Sequence, residues 1–369
     1  MDFSIHKNYV HELSLYLTTF QRHNASMIKA LNTPSWIHTK QSVLGHDDVV
    51  TEFTKRVQEN RLHHAWLLTG PKGIGKATLA HLLARHLFRN APELHQPEPE
   101  DRVYHGCISG GNPDLFILHK DKDPEAKKNI SIQQVRETSK FIHQTAAHNG
   151  WRVVIIDAID DMNDKSANAL LKDLEEPGKQ TVYFLICHNA HGILPTIKSR
   201  CQQVNMHPLK PEILAKHLDQ NHPELSPKEQ AFYTTVSQGR FGLLNELIEQ
   251  EGHVITEDFL NAILESHQKE GGAAWSLIKF VQNYASVKND QDYKTFEYLY
   301  LWWLARHTKA LSLGNISLLK NLPDAAKDIF NLPFDTTYWT HHYETFLENI
   351  KTDQILHLDR RNILVGALG

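Results

Sequence analysis

Cysteine is scarce in this chain: only Cys107, Cys187 and Cys201 occur among its 369 residues, far apart and without a C-x-x-C pair. A disulfide framework and a four-cysteine zinc site both need more cysteines than this, so the sequence excludes both. A protein with so few cysteines, none of them closely spaced, is typical of the reducing cytoplasm, and we expect it there.

Long apolar runs are missing as well. The first residues, MDFSIHKNYVHELSLYL, lack the basic start and the unbroken apolar run of a signal peptide. No stretch of about 18 apolar residues, the length that a membrane-spanning helix needs, occurs in the sequence. We therefore expect no membrane association.

An excess of positive charge is also lacking, since the formal net charge is −4 at pH 7. This argues against a protein that coats nucleic acid by itself, although a local basic face could still contact phosphates within an assembly. Hydrophobic residues make up 41% of the chain and charged residues 22%, as in ordinary globular proteins. The length is sufficient for two or three domains with cores of their own.

Short apolar runs alternate with helical periodicity between residues 43 and 205. They are HAWLLT (64–69), DLFILH (114–119), WRVVIID (151–157), TVYFLIC (181–187) and CQQVNM (201–206). Near-continuous apolar strands separated by helices are typical of a parallel sheet covered by helices on both faces. The sequence thus predicts an α/β fold for this part of the chain.

From Pro208 onward the sequence predicts helices and no further strands. SPKEQAFYTTVSQGRFGLLNELIEQEG (226–252) is predicted as one helix that ends at a glycine. We place domain boundaries near 206 and 252. They separate an α/β domain over 39–206, a small helical domain over 207–252 and a larger all-α domain over 253–369. Residues 1–38 form a polar extension that we expect to be poorly ordered or dispensable.

A glycine-rich loop follows the first predicted strand. TGPKGIGKATLA (69–80) meets the phosphate-binding pattern G-x-x-x-x-G-K-[ST] except at its last position, where Ala77 replaces the hydroxyl that holds Mg²⁺. Thr78 supplies a hydroxyl one residue late, rotated by about 100° on the helix. The residues predicted to wrap and neutralise a phosphate are Gly70, Gly73, Gly75 and Lys76. A purely structural loop is the alternative interpretation.

A carboxylate ends one of the predicted strands, in VVIIDAIDDM. Asp157 follows four apolar residues and should lie at the carboxyl edge of the sheet, where ligands bind in such folds. Ala158 comes next. We interpret Asp160 and Asp161 as a solvated helix entry.

The segment SANALLKDLEEPGKQTVYFLICHNAHGILPTIKSRCQQV (166–204) resembles the clamp-loader branch of the AAA+ superfamily, above all in its ALLKDLEEP helix and SRC tripeptide. VLGHDDVV before the loop is similar to that family's adenine-side box, and LHLDRRNIL near the end to its last collar helix. The resemblance is greatest to the delta-prime class of subunits of bacterial DNA polymerase III. It implies an AAA+ P-loop module, then a helical lid (207–252) and an all-α collar (253–369) that joins subunits into an incomplete ring.

The resemblance also implies a stator, a ring subunit that supports its neighbours without hydrolysing ATP. Hydrolytic relatives carry a hydroxyl where this chain has Ala77 and a water-activating Glu where it has Ala158. Their sensor-2 arginine is replaced by Gly242 in the simplest alignment, with Arg240 as an alternative frame. The sensor-1 position falls on Asn189 or, one residue earlier, on His188. We therefore expect no intrinsic ATPase activity and no required cofactor, while weak ATP or ADP binding at the degenerate loop stays open.

Many members of this family carry a four-cysteine zinc module after the first helix of the AAA+ domain. The corresponding stretch here, FRNAPELHQPEPEDRVYHGCISGGNPDLF, contains Cys107 alone. His95 and His105 do not complete a site. We expect no zinc.

Arg200 of the SRC tripeptide is the arginine that the family uses in trans, as a finger that enters the nucleotide site of a neighbouring motor subunit. A planar guanidinium suits phosphate oxygens. A salt bridge to a local carboxylate is the alternative role. The implied partners are the gamma/tau and delta subunits, the sliding clamp and primer-template DNA. An active gamma/tau-like motor, or another AAA+ ATPase, is the alternative to a stator.

Overall fold

The computed structural model describes residues 43–89, 102–108, 111–120, 129–144, 146, 150–268, 275–285, 290–356 and 360–368. The predicted extension over 1–38 lies outside this range. The chain divides into two compact units. The α/β unit comprises the described residues up to Ile213 together with Arg240–Gly242, and the helical unit comprises Leu214–Gly239 and the described residues from Leu243 onward.

The α/β unit is built on a five-stranded parallel sheet with the order β2-β3-β4-β1-β5. Its strands are β1 (Ala65–Thr69), β2 (Leu115–His119), β3 (Arg152–Asp157), β4 (Thr181–Cys187) and β5 (Gln202–Asn205). Its helices are α1 (Asp47–Gln58), α2 (Lys76–Arg89), α3 (Arg102–Ile108), α4 (Ile132–Ile142), α5 (Asp164–Glu175) and the single turn α6 (Pro195–Lys198). Each predicted strand forms, and the α/β prediction is confirmed.

Two hydrophobic cores cover the two faces of the sheet. Alternate residues of β4 enter opposite cores: Val182, Phe184 and Ile186 pack with α1 and α2, whereas Tyr183, Leu185 and Cys187 pack with α4 and α5. All seven β4 residues are buried. Burial on both faces explains why these strands appear in the sequence as continuous apolar runs.

Side-chain caps fix where two helices of the second core begin. The Ser131 hydroxyl accepts from the backbone amide of Gln134, whose side chain accepts in turn from the Ser131 amide, a complete capping box at α4. Asn163 caps α5 by accepting from the amide of Ser166. These caps satisfy amides that the first turn of a helix leaves unpaired.

Only helices follow β5 in the described part of the chain. They are α7 (Pro211–Asn221), α8 (Pro227–Ser237), α9 (Phe241–Glu249), α10 (Gly252–Gln268), α11 (Trp275–Tyr284), α12 (Asp290–Ser312), α13 (Ala325–Phe330), α14 (Thr336–Leu356) and α15 (Arg360–Leu368). The predicted boundaries near 206 and 252 stay predictions. None of the described helices is both long and apolar enough to span a bilayer.

The single helix predicted over 226–252 is wrong. The chain leaves the helix after Ser237, because Gln238 and Gly239 take φ values of 53° and 77°, and a new helix begins at Phe241. A left-handed residue ends a right-handed helix, and glycine adopts that conformation without strain. The apolar periodicity of the sequence continues across the break, so the sequence pattern does not indicate the turn.

The core of the helical unit is rich in aromatic side chains. Phe259 of α10 lies edge-on against Phe296, Tyr300 and Trp303 of α12, with ring centroids 5.7 to 5.9 Å apart. Tyr298 of α12 donates a 2.9 Å hydrogen bond to the carbonyl of Val236 at the end of α8. These contacts tie the shorter helices of this unit to the long helix α12.

Candidate functional site: a degenerate phosphate loop and Arg200

The glycine-rich loop connects β1 to α2 at the carboxyl edge of the sheet. Gly70 has a φ of 146°, and a Cβ atom at this position would overlap the backbone carbonyl of Met206. Met206 is held there because its amide donates to the Thr69 carbonyl at 2.8 Å. The first glycine of the motif is thus required by the close approach of the chain that follows β5.

Lys76 is only 3% exposed, and its ammonium is bound by the loop itself. Nζ donates to the carbonyls of Gly70 and Pro71, at 2.7 and 2.6 Å. Burial lowers the pKa of Lys76 to about 8, although the carboxylate of Asp157 opposes this shift. A phosphate would have to replace carbonyl contacts that Lys76 already makes.

Asp157 ends β3 beside this lysine, with its side chain 19% exposed. Burial raises the pKa of Asp157 to about 6, and the nearby Lys76 ammonium counteracts part of the rise. His188 lies directly after β4, with Nε2 3.9 Å from Oδ1 of Asp157. The His188 amide donates to Oδ1 of Asp160 at 3.1 Å. Asn189 is exposed.

The two alanines of the degenerate motifs differ in burial, since Ala77 is half-buried and Ala158 is buried. Ala77 packs against the core beneath α2, and Ala158 is 1% exposed. Neither side chain offers a hydroxyl or a carboxylate that could hold Mg²⁺ or position a water molecule. Thr78 is half-buried one position further along α2. Asp160 and Asp161 are half-buried rather than solvated, and Asp161 lies 3.8 Å from Lys120.

Two further contacts clamp the loop, and sequence reasoning did not identify them as such. Nε2 of His46, which precedes α1, lies 3.0 Å from the carbonyl of Ile74. The amide of Gly242 donates to the carbonyl of Gly73 at 2.7 Å. A Cβ atom on Gly242 would meet the Gly73 backbone at 3.3 Å, a tight contact that the loop could accept only by shifting slightly.

Arg200 lies between α6 and β5, and its guanidinium has two partners. Nη2 lies 2.7 Å from Oε1 of Glu175, the last residue of α5, and Nη1 donates to the carbonyl of Thr196 at 2.8 Å. The side chains of Arg200 and Glu175 are 35% and 51% exposed. The sequence indicated a local carboxylate as a possible partner of Arg200 but did not identify Glu175. In the sequence Glu175 is only one of two adjacent glutamates, Glu175 and Glu176, and nothing distinguishes it.

Arg200 and the phosphate loop lie at opposite edges of the sheet. All strands are parallel; the loop follows the end of β1, whereas Arg200 precedes the start of the adjacent β5. The register pairs Trp66 with Gln202 and Thr69 with Asn205. At about 3.3 Å per residue, the five residues of β1 separate the two edges by about 16 Å. Arg200 therefore cannot contact a phosphate held by the loop of its own chain.

The stretch over 88–116, in which we expect no zinc, is described only in part. Cys107 is buried on α3 in the core beside α2, and Nδ2 of Asn112 lies 3.6 Å from its sulfur. His105 is exposed, and His95 lies outside the described residues. No group of three or more potential metal ligands occurs where the chain is described. The absence of zinc stays a prediction.

Comparison with known proteins bears on the same region. A family model described as DNA polymerase III, delta subunit, matches residues 45–210. Residues 45–210 are thus similar to this family of DNA polymerase III subunits. The match covers the α/β unit almost completely, including the loop, Asp157 and Arg200. It confirms the resemblance drawn from the ALLKDLEEP and SRC motifs.

Individual relatives agree with this family. The chain is 44% identical over 140 residues to DNA polymerase III subunit delta' of Pseudomonas aeruginosa, which covers 38% of this chain and 42% of that protein. It is 33% identical over 162 residues to the delta' subunit of Bacillus subtilis, covering 44% of this chain and 47% of that protein. DNA polymerase III subunit gamma of Buchnera aphidicola is 29% identical over 178 residues, 48% of either chain. In each case the chain matches less than half of the relative's length.

Proposed function

We propose that the chain is the stator subunit of a bacterial DNA polymerase III clamp loader and that it hydrolyses no ATP itself. In this role it supports the loading of a sliding clamp onto primer-template DNA. Its partners are the gamma/tau motor subunits and the delta subunit, and its compartment is the cytoplasm. The match of residues 45–210 to the DNA polymerase III delta subunit model, together with the delta' subunits among the relatives, supports the assignment.

Arg200 is the residue that we assign to catalysis, as an arginine finger for the motor subunit next to it. The observation that carries this assignment is the separation of Arg200 from the phosphate loop of its own chain by the length of β1. A partly exposed arginine at the far edge of the sheet is useful to a nucleotide only if another subunit presents that nucleotide. Its planar fork of donors suits phosphate oxygens as charge develops on them.

The degenerate loop supports the absence of hydrolysis by this chain. Phosphoryl transfer needs a ligand for Mg²⁺ and a group that positions the attacking water, and Ala77 and Ala158 supply neither. Lys76 remains, so weak binding of ATP or ADP is compatible with the proposal. The alternative function is that of an active motor, because gamma subunits are also among the relatives.

Three variants in the reconstituted complex test the arginine finger. Arg200→Ala should leave the melting temperature and subunit assembly unchanged but lower the ATPase activity stimulated by DNA and clamp. A trans-acting arginine contributes about 10³-fold or more at its own site, and the effect on the total rate is smaller because several sites contribute. Arg200→Lys should restore little, since an ammonium lacks the planar fork.

Arg61→Ala is the matched control. Arg61 also precedes a strand at this edge of the sheet, its side chain is 79% exposed, and it lies 4.0 Å from Glu59. The control should keep full activity. If Arg200→Ala instead destabilises the chain or the assembly while the remaining complex is fully active, Arg200 serves only its local salt bridge and the finger assignment is wrong.

A further inference from the structure

Glu175 holds the guanidinium of Arg200 in one orientation. Oε1 of Glu175 lies 2.7 Å from Nη2 of Arg200, and Nη1 donates to the Thr196 carbonyl at 2.8 Å. The Ser199 hydroxyl lies 3.4 Å from the same Nη1. All of these partners belong to α5 or to the turn around α6, so the arrangement needs no other subunit.

A carboxylate and a phosphate compete for the same donors of an arginine. Each presents pairs of oxygen atoms that can accept from the paired N–H groups of a guanidinium. A phosphate that binds Arg200 through Nη2 must therefore displace Glu175, and while Glu175 stays close its negative charge repels the phosphate. The orientation seen here is consequently distinct from the one that Arg200 needs inside a neighbouring nucleotide site.

The exposure of the pair makes this exchange feasible. With side chains 35% and 51% exposed, water can solvate both charges once they part. Exposed ion pairs of this kind shift an equilibrium by about fivefold at most. The ion pair between Glu175 and Arg200 is thus strong enough to orient Arg200 when no nucleotide is near. It is also weak enough for a phosphate to replace Glu175.

We propose that Glu175 is a positioning residue that holds Arg200 against α6 until a phosphate of the neighbouring subunit's nucleotide takes its place. The proposal rests on the proposed function of Arg200 as a finger. Its consequence is that Glu175 opposes catalysis slightly, because releasing Arg200 from Glu175 is part of the barrier between free enzyme and transition state. The ratio kcat/KM measures that barrier.

The test compares Glu175→Gln with Glu176→Gln in the reconstituted complex. Glu176 is the neighbouring exposed glutamate and forms no ion pair with Arg200, so its variant loses the same charge one residue away. Glu175→Gln should raise kcat/KM for ATP by about two- to fivefold at the site that Arg200 enters. Glu176→Gln should not. The gain should shrink at high salt, because salt screens exposed charges.

Adding Arg200→Ala separates the two claims. If Glu175 acts through Arg200, the gain disappears in the double variant Glu175→Gln with Arg200→Ala. If Arg200→Ala lowers the activity but Glu175→Gln behaves like Glu176→Gln, or lowers kcat/KM, the positioning role is wrong and the finger stands. If Arg200→Ala has no effect on stimulated activity, the finger assignment fails and the positioning role fails with it. Equal melting temperatures of both glutamate variants show that the comparison concerns orientation rather than folding.

Discussion

The ammonium of Lys76 donates a 2.7 Å hydrogen bond to the carbonyl of Gly70, the residue that opens the same loop. A lysine of this kind normally neutralises the phosphates of a bound nucleotide. Here the ammonium donates to backbone carbonyls instead, and the carboxylate of Asp157 favours its charged form. The loop thus keeps the shape of a phosphate site and satisfies its own lysine internally.

The pH dependence of stability should show that the pKa of Asp157 is raised in the folded chain. A carboxyl whose pKa rises to about 6 on folding binds its proton more tightly in the folded chain than in the unfolded chain. Its contribution to the unfolding free energy is therefore most favourable below about pH 4 and is lost as the pH rises through about 6. Asp157→Asn removes this loss of stability at higher pH, because asparagine does not ionise. The variant should match the parent chain near pH 4 and exceed it by about 1 to 3 kcal/mol at pH 7.

Denaturant unfolding of both proteins from pH 4 to 7 measures this difference. Lys76→Met serves as the second variant, because removing the ammonium takes away the charge that favours ionised Asp157. The pKa of Asp157 should then rise further, as a carboxyl NMR titration would show. A stability difference between Asp157→Asn and the parent that does not change with pH would contradict the account.

Gly70→Ala should destabilise the chain by about 2 kcal/mol or more. The backbone of Gly70 is in a region that L side chains avoid, and the added methyl group would overlap the Met206 carbonyl. Gly192→Ala is the control, since Gly192 is exposed and a Cβ atom there meets nothing within 4 Å. Its effect should stay within about 0.5 kcal/mol. Equal melting temperatures for the two variants would show that Gly70 tolerates a side chain.

Metal analysis of the purified chain should find less than one zinc per molecule. A structural zinc site needs about four ligands in tetrahedral geometry, and Cys107 is buried in a hydrophobic core with Asn112 near its sulfur. Stoichiometric zinc that survives treatment with a chelator would show that residues 88–113 form a site of a different kind.

The features that sequence predicted well depend on local patterns. The strands could be predicted because burial on both faces makes each of them a continuous apolar run, and the loop could be located because its glycines and lysine have fixed spacing. The break after Ser237 was missed because the apolar period runs across Gln238 and Gly239. In that stretch only the left-handed backbone of these two residues marks the turn.

The contacts that define the candidate site were harder to predict because they join distant segments. His46 and Gly242 reach the loop from 28 and 169 positions away in sequence, through Ile74 and Gly73 respectively. Glu175 meets Arg200 only because α5 and the turn before β5 end at the same edge of the sheet. Residue type and spacing along the chain carry no signal for such pairs.

Turnover of ATP by the isolated chain decides between a stator and an active motor. We expect no Mg²⁺-dependent hydrolysis above background, because Ala77 and Ala158 stand where a metal ligand and a water-activating carboxylate would be needed. Lys76→Ala should make no difference to that background. Magnesium-dependent turnover of about 1 per second, an ordinary rate for an enzyme, that is lost in Lys76→Ala would identify the chain as an active motor and contradict the stator assignment.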